Sequence, residues 1–367
     1  MKILPRTYTV VPQDRLLCAR LGLECGKSKG GVGMSRCGLG MILLAVLPFR
    51  ALGGVQTFAL KDAKGLIERN VKLESVEYRG RKAVRLTKES EDGFALLPDT
   101  DFQDGTIEAD IALKVTTPPG VRMPGFIGIA FRARNDASHY ELFYIRPGNS
   151  QSEDQAMRNH SVQYCSEPDF GWYALRRSWP GVYEAYAELQ PEAWTHMKIE
   201  VSGRAAKLYL NGSSKPSLVV DGLKGEDLHG AVALWGYPRE ESYFSNVRIT
   251  NGPAQPAKNG SDAAGAWDVR LGTDAGGFGG LLKLNRDGNH LSGTWSGALG
   301  EDRPVTGTWR DGYVELKFTA RWPEGWPQGA PGDVTASLAG WIDGASAKGR
   351  GKLEGRADGL WTASRTQ

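Results

Sequence analysis

Phe126-Ile127-Gly128-Ile129-Ala130-Phe131-Arg132, followed after a short polar break by Tyr140-Glu141-Leu142-Phe143-Tyr144-Ile145-Arg146-Pro147, decides the kind of fold this chain adopts. In the first stretch Ile127, Ile129 and Phe131 fall on one side, and Phe126, Gly128, Ala130 and Arg132 on the other, which is the period-two signature of a strand. In the second, Phe143 and Ile145 point one way, and Tyr140, Leu142, Tyr144 and Arg146 the other. A sheet built from these strands has one face fit for a core. Its second face carries aromatic and guanidinium groups instead of the short polar residues of a merely wetted surface.

Outward from these strands the same pattern recurs at Lys82–Leu86, Thr106–Lys114, Ser161–Cys165, Thr195–Ser202, Ala205–Leu210, Ala231–Gly236 and Tyr243–Thr250. Gly, Pro, Asn and Asp bound the runs, and helix signals are nearly absent after residue 65. The chain is therefore expected to be all-β. Asn251–Gly265 carries Gly252, Pro253, Pro256, Gly260 and Gly265 with almost no large apolar residue, so a linker is placed there. Beyond it eight short strands are expected, at 266–272, 279–285, 290–296, 303–309, 313–319, 334–342, 346–354 and 359–365. Gly293-Thr294-Trp295 and Gly307-Thr308-Trp309 repeat one strand-turn-strand unit apart, and strands in hairpin succession remove their exposed edges by closing on themselves. The expected organisation is a sandwich over 57–250, a linker over 251–265 and a small up-and-down barrel of lipocalin or avidin type over 266–367.

Residues 1–53 are set apart from this. Met41–Phe49 is an apolar run behind Arg36 and ahead of Ala51-Leu52-Gly53, too short for the about 20 apolar residues of a spanning helix but suited to an export signal. Met34-Ser35-Arg36 would begin a leader of ordinary length, making residues 1–33 an upstream extension or an over-long gene model. Removing 1–53 takes away eight Lys/Arg and two Asp/Glu, leaving 37 basic against 40 acidic residues. Such a balance gives no global electrostatic reason to bind nucleic acid. Cys18, Cys25 and Cys37 leave with the leader, and Cys165 remains as a lone thiol, so a large core and no disulfide must hold the mature chain. A secreted or periplasmic protein with no membrane span in its mature part is expected.

Several stretches resemble the laminin-G-like, concanavalin A-like lectin/glucanase family, which includes exported bacterial proteins labelled 3-keto-disaccharide hydrolases. The resemblance covers about 57–250 and rests on Asp101–Asp110, Gly128–Arg132, Tyr140–Pro147, Trp194–Val201, Ala206–Gly212 and Tyr243–Ile249. It implies a jelly-roll sandwich whose concave face takes sugars. The glucanase branch carries Glu-x-Asp-x-x-Glu on one strand; Glu108-Ala109-Asp110 begins that pattern, but Leu113 ends it, which speaks against that mechanism. The fold hosts both lectins and enzymes, so function has to come from the site.

The densest mixture of aromatic and polar groups is Arg158–Tyr186. Saccharides need that mixture, flat rings for the C–H face of a pyranose and forked donors and amides for its hydroxyls. The expected ligand groove is Arg132, Tyr144, Arg146, Asn159, His160, Gln163, Trp172, Arg176 and Tyr183, with packing of a long excursion as the alternative for each. Glu141, Glu184 and His160 are the catalytic candidates, joined by Glu153, Asp154 and Asp169 as further carboxylates. No pair of them has the spacing of a two-carboxylate glycosidase. Asp99, Asp101 and Asp104 precede Gly105, but a calcium loop would need Asp or Asn where Gln103 stands, so a polar turn is favoured over a structural calcium. No metal centre or other cofactor is expected. In the barrel Trp295, Trp309, Trp322, Trp326, Trp341 and Trp361 either plug the ends or line a mouth, and Trp322–Pro327, in the longest loop, is expected to present exposed rings. The readings carried forward are carbohydrate or glycoconjugate binding, glycoside or 3-keto-glycoside cleavage, and an extracytoplasmic protein-interaction module.

Overall fold

Alternating apolar and polar side chains, broken by Gly, Asn and Asp, build strands through most of the residues described by the computed structural model, which are 54–88, 93–115, 123–253, 255, 261–326 and 329–366. The apolar run Met41–Phe49, the start at Met34 and the cleavage segment lie outside them. The first fifteen strands are β1 (Val55–Phe58), β2 (Ile67–Arg69), β3 (Lys72–Tyr78), β4 (Arg81–Thr87), β5 (Phe94–Leu96), β6 (Gly105–Val115), β7 (Ile127–Ala133), β8 (Tyr140–Ile145), β9 (Val162–Glu167), β10 (Glu184–Ala185), β11 (Thr195–Ser202), β12 (Ala205–Leu210), β13 (Leu218–Asp221), β14 (Ala231–Gly236) and β15 (Glu240–Asn251). Three short helices interrupt them, α1 (Pro147–Ser150), α2 (Gln155–Arg158) and α3 (Trp172–Ser178). The last eight strands are β16 (Gly265–Thr273), β17 (Gly276–Asp287), β18 (His290–Gly297), β19 (Gly300–Arg310), β20 (Tyr313–Trp322), β21 (Gly332–Asp343), β22 (Ser346–Leu353) and β23 (Ala357–Arg365).

One sheet runs β13-β12-β11-β6-β15-β4-β3 with β1 also paired to β15, the second runs β10-β9-β8-β7-β14-β5-β2, and β16 to β23 close in sequence order. The fold is thus all-β, a two-sheet sandwich followed by an up-and-down barrel. The two sheets of the sandwich differ in their outer faces. In the first, Met197, Ile199 and Val201 are buried inward, while the outer surface is a lattice of ion pairs: Arg85 bridges Glu74 and Glu241, and Lys114 reaches Glu241 at 2.9 Å. In the second, β7 and β14 are buried along their whole length. Its inner side carries Phe131 and Phe143, with ring centroids 6.1 Å apart. Gly236 shares that inner side, since a Cβ there would lie 3.2 Å from Leu86 of the opposite sheet.

The barrel is filled by its own aromatics. Trp267, Trp295, Trp322 and Trp361 are fully buried, and Trp295 stacks on Phe318 at 5.1 Å. Gly280 makes room for that ring, because a Cβ there would sit 2.4 Å from it. The expectation of exposed rings at Trp322–Pro327 is corrected here: Trp322 ends β20 inside the barrel, and Trp326 stacks on Phe278 at 4.6 Å. Apolar area in a closed barrel is best buried inward, so a loop aromatic next to an open end turns into it.

Ala51–Gln367 form one compact unit, in which ion pairs bridge sandwich and barrel. Arg204 donates to Asp343 at 3.1 Å, Arg310 lies 3.5 Å from Asp227, and Lys352 pairs with Asp169. Cys165 is buried, and burial raises its thiol pKa well above the usual value, which makes it an inert packing residue. Among the described residues no helix is long and apolar enough to cross a membrane.

Candidate functional site

Register lines one row of residues across five strands on the outer face of the second sheet: Glu184 pairs with Gln163, Gln163 with Tyr144, Tyr144 with Gly128, and Gly128 with Trp235. Cross-strand partners share a face, so all five side-chain positions look away from the first sheet. Gly128 leaves the rings of Tyr144 and Trp235 to meet above it, with centroids 5.3 Å apart. Phe126 and Tyr237, each two residues further along its own chain, extend the surface: Phe126 lies 4.6 Å from Tyr237 and 6.0 Å from Tyr144. Both are only partly buried, so this four-ring platform is open on its Phe126 and Tyr237 side.

Cations and carboxyls border the platform. The Arg146 guanidinium sits 4.8 Å from the Tyr144 ring centroid and 5.5 Å from that of Phe126, and the Lys88 ammonium 5.1 Å from that of Trp235. Arg146 is itself buried. It donates to the His160 carbonyl at 2.9 Å, to Tyr144 Oη at 2.6 Å and to Gln163 Oε1 at 3.2 Å. Glu240 accepts from the Phe126 amide at 2.8 Å through Oε2, and its Oε1 is buried with no partner among the described residues, as is the Trp235 indole N–H. Burial with only that one amide in opposition pushes the Glu240 pKa up to about 7.

At the β10 end of the row Arg176 clamps Glu184 with two donors, Nε at 3.0 Å and Nη2 at 2.7 Å, and its guanidinium lies 4.9 Å from the exposed Trp172 ring. α3 holds both Arg176 and Trp172, anchored by the fully buried Leu175. His160 Nδ1 lies 2.8 Å from Glu184 Oε2, at an angle that makes no hydrogen bond. Burial lowers the His160 pKa, Glu184 opposes the shift and Arg176 adds to it. The imidazole is accordingly a neutral donor–acceptor near neutral pH.

Of the residues expected in the groove, Tyr144, Arg146, His160, Gln163, Arg176 and Trp172 come together on or beside this face. Asn159 is exposed at the C-cap of α2. Two depart. Arg132 has φ of 50° at a bulge between β7 and β14, which turns its side chain off the platform face, where it donates to the carbonyls of Gln103 at 2.8 Å and Gly203 at 2.7 Å. Tyr183 packs on Tyr164, an inner-face residue, at 5.6 Å and on Trp179 at 5.7 Å. The sequence reading passed over Trp235, Tyr237, Glu240 and Lys88. Alternation in Ala231–Gly236 sets Trp235 apart from Leu234, but the approach of Lys88 and Glu240 depends on the pairing of distant strands.

Among the carboxylates, Glu141 faces inward. It accepts from Tyr164 Oη at 2.5 Å and the Gly225 amide at 2.9 Å, and burial raises its pKa. Glu141 and Glu184 thus occupy opposite faces of one sheet and do not flank a common bond, which removes that pairing from a two-carboxylate mechanism. Asp154 caps α2, and Asp169 pairs with Lys352 of the barrel. Asp104 accepts from the amides of Gly203 at 2.6 Å and Gln255 at 2.8 Å, while Asp101 pairs with His229, so the aspartates before Gly105 do not converge. Among the described residues no three His, Cys, Asp or Glu side chains gather in a metal-binding group.

No protein-family model matches this chain, and no curated protein matches it. Among solved structures it is similar to the carbohydrate-binding module CBM66 from Bacillus subtilis, 19% identical over 51% of this chain and 96% of the module, with a TM-score of 0.36. It is also similar to a Bacillus subtilis protein of unknown function with a galectin-like fold, 11% identical over 55% of this chain and 96% of that one, with a TM-score of 0.36. A third similarity is to the VIP36 exoplasmic/lumenal domain in its Ca2+/Man3GlcNAc-bound form, 10% identical over 55% of this chain and 92% of the domain, with a TM-score of 0.36.

Proposed function

We propose that the sandwich binds carbohydrate on the outer face of its second sheet, and that the chain acts outside the cytoplasm after export. The observation that carries the first part is the four-ring platform, open at Phe126 and Tyr237 and bordered by Arg146, Lys88, Gln163 and the Glu184–Arg176–Trp172 group. Rings of this size stack on the C–H face of a pyranose, and the part-exposed Arg176 guanidinium beside the exposed Trp172 ring suits its hydroxyls. The export part rests on the apolar run Met41–Phe49 and its flanks.

Calorimetry of the full chain against a panel of neutral oligosaccharides tests the binding reading, with Tyr237→Ala and Trp172→Ala as its variants. Both side chains reach solvent, so their loss should leave the fold in place. Affinity is expected to fall about tenfold in Tyr237→Ala. Equal affinity in both variants and wild type would remove the platform from the binding surface. Signal cleavage is read by N-terminal sequencing of the protein recovered from an expressing bacterium, and an intact start at Met1 overturns export.

A further inference from the structure

The sandwich end that carries Arg132 is the far end of β7 from Phe126, ~20 Å along the strand. Here the β11–β12 turn, the segment after β13 and the β21–β22 turn of the barrel enclose a cleft of about 830 Å³. Pockets that take small ligands run to roughly 300–1,000 Å³, so this volume accommodates a short oligomer. The platform on the outer face of the second sheet leaves it unused.

Its walls are chemically mixed. Trp341 is the aromatic element, held by an edge contact to Tyr313 at 5.1 Å and by the Arg204 guanidinium 4.1 Å from its ring centroid. Arg204 is fixed in turn by Asp343 at 3.1 Å and the Leu223 carbonyl at 3.3 Å. The Trp341 indole N–H is buried without a partner among the described residues. Three cations line the cleft, Arg132, Arg204 and Lys348, against three carboxylates, Asp221, Asp311 and Asp343, and this balance disfavours a polyanion or polycation as ligand. Asp221, Asp311 and Lys348 are exposed and make no ion pair or side-chain hydrogen bond among the described residues.

We infer that this cleft is a second ligand site, one that takes a neutral, polyhydroxylated oligomer and is completed only when sandwich and barrel are both present. Trp341 with its stacked Arg204 forms a rigid wall, while Asp221, Asp311 and Lys348 are unengaged acceptors and a donor for hydroxyl groups. A role for the barrel follows, since it supplies half of the site. The inference is independent of the platform on the second sheet and is tested separately from it.

The probes are cellotriose, maltotriose and mannotriose, with trigalacturonate as the acidic comparison, followed by ligand-observed NMR and tryptophan fluorescence on the full chain. In a Tyr237→Ala background at least one neutral trisaccharide is expected to bind at millimolar or better affinity, with trigalacturonate weaker. Adding Lys348→Ala and Asp221→Ala, both on exposed side chains, should weaken that binding about tenfold while the circular-dichroism melt stays in place. No neutral binding in the Tyr237→Ala background overturns the cleft, and so does binding that ignores both cleft substitutions or favours trigalacturonate. Binding lost in Lys348→Ala/Asp221→Ala but kept in Tyr237→Ala supports the cleft and removes the platform, so the two readings fail separately.

Discussion

The barrel interior and the outer face of the second sheet are both crowded with aromatic rings, and they use them in opposite ways. In the barrel, Trp295, Trp322 and Trp361 are fully buried, and Gly280 clears the space that the Trp295 ring fills. On the sheet, Phe126 and Tyr237 keep part of their surface in water. A count of aromatic residues therefore says little about where a ligand goes. What separates a plug from a platform is whether any ring of the set keeps surface open to solvent, since buried indole N–H groups without a partner among the described residues occur in both.

The sharpest way to break this comparison is Trp295→Ala. The cavity it leaves should cost about 3–5 kcal/mol, read as a lowered thermal or denaturant midpoint, with oligosaccharide binding on the platform unchanged. A stable variant would mean the barrel interior is loosely filled. Glu240 gives the next largest effect. Its folded pKa of about 7 stands above the ordinary 4.5, so the folded state holds a proton that the unfolded chain has lost. The associated stability is fully present below pH 4.5 and disappears as pH rises through 7, an effect on the order of 3 kcal/mol that Glu240→Gln should abolish. Denaturant titrations of both proteins from pH 4 to 8 would reveal it, and parallel pH profiles would place Glu240 in a wetter setting.

Smaller again is Tyr237→Ala, expected to weaken oligosaccharide binding by about 1–2 kcal/mol with little change in melting. Last comes Arg81→Ala on the ion-paired outer face of the first sheet, where Arg81 meets Asp110 at 2.9 Å. An exposed pair of this kind contributes about 0–1 kcal/mol, so neither melting nor binding should move measurably. A clear loss of glycan binding there would put the ligand on the wrong sheet.

Much of this was legible in the chain itself. All eight barrel strands lie where alternation and turn residues put them, because each strand has one wet and one dry side and the pattern is strict. The inner and outer sides of β7 and β8 were likewise readable up to Ala130. At Arg132 the bulge turned the next side chain away, and nothing local in the sequence marks it. β1, β2, β5, β10 and β13 escaped because they are only two to four residues long, too short for a period to register, and β3 escaped at seven residues because none of its side chains is fully buried. Tyr183 and Trp172 sit in the same aromatic-rich segment, yet one packs inward and the other faces water, a division made by α3 and β10 rather than by composition. Lys88, Trp235 and Glu240 meet only after β14, β15 and β4 have paired.

The strand pairings have a consequence for architecture over evolutionary time. Val55 lies beside Thr250 in the sandwich, and Trp267 beside Arg365 in the barrel, so each structure begins and ends at a single point. The barrel is therefore joined to the sandwich by one covalent crossing and by the ion pairs between them: it can be removed, exchanged or rejoined at a different hairpin without cutting a single strand of its neighbour, at the loss of those pairs.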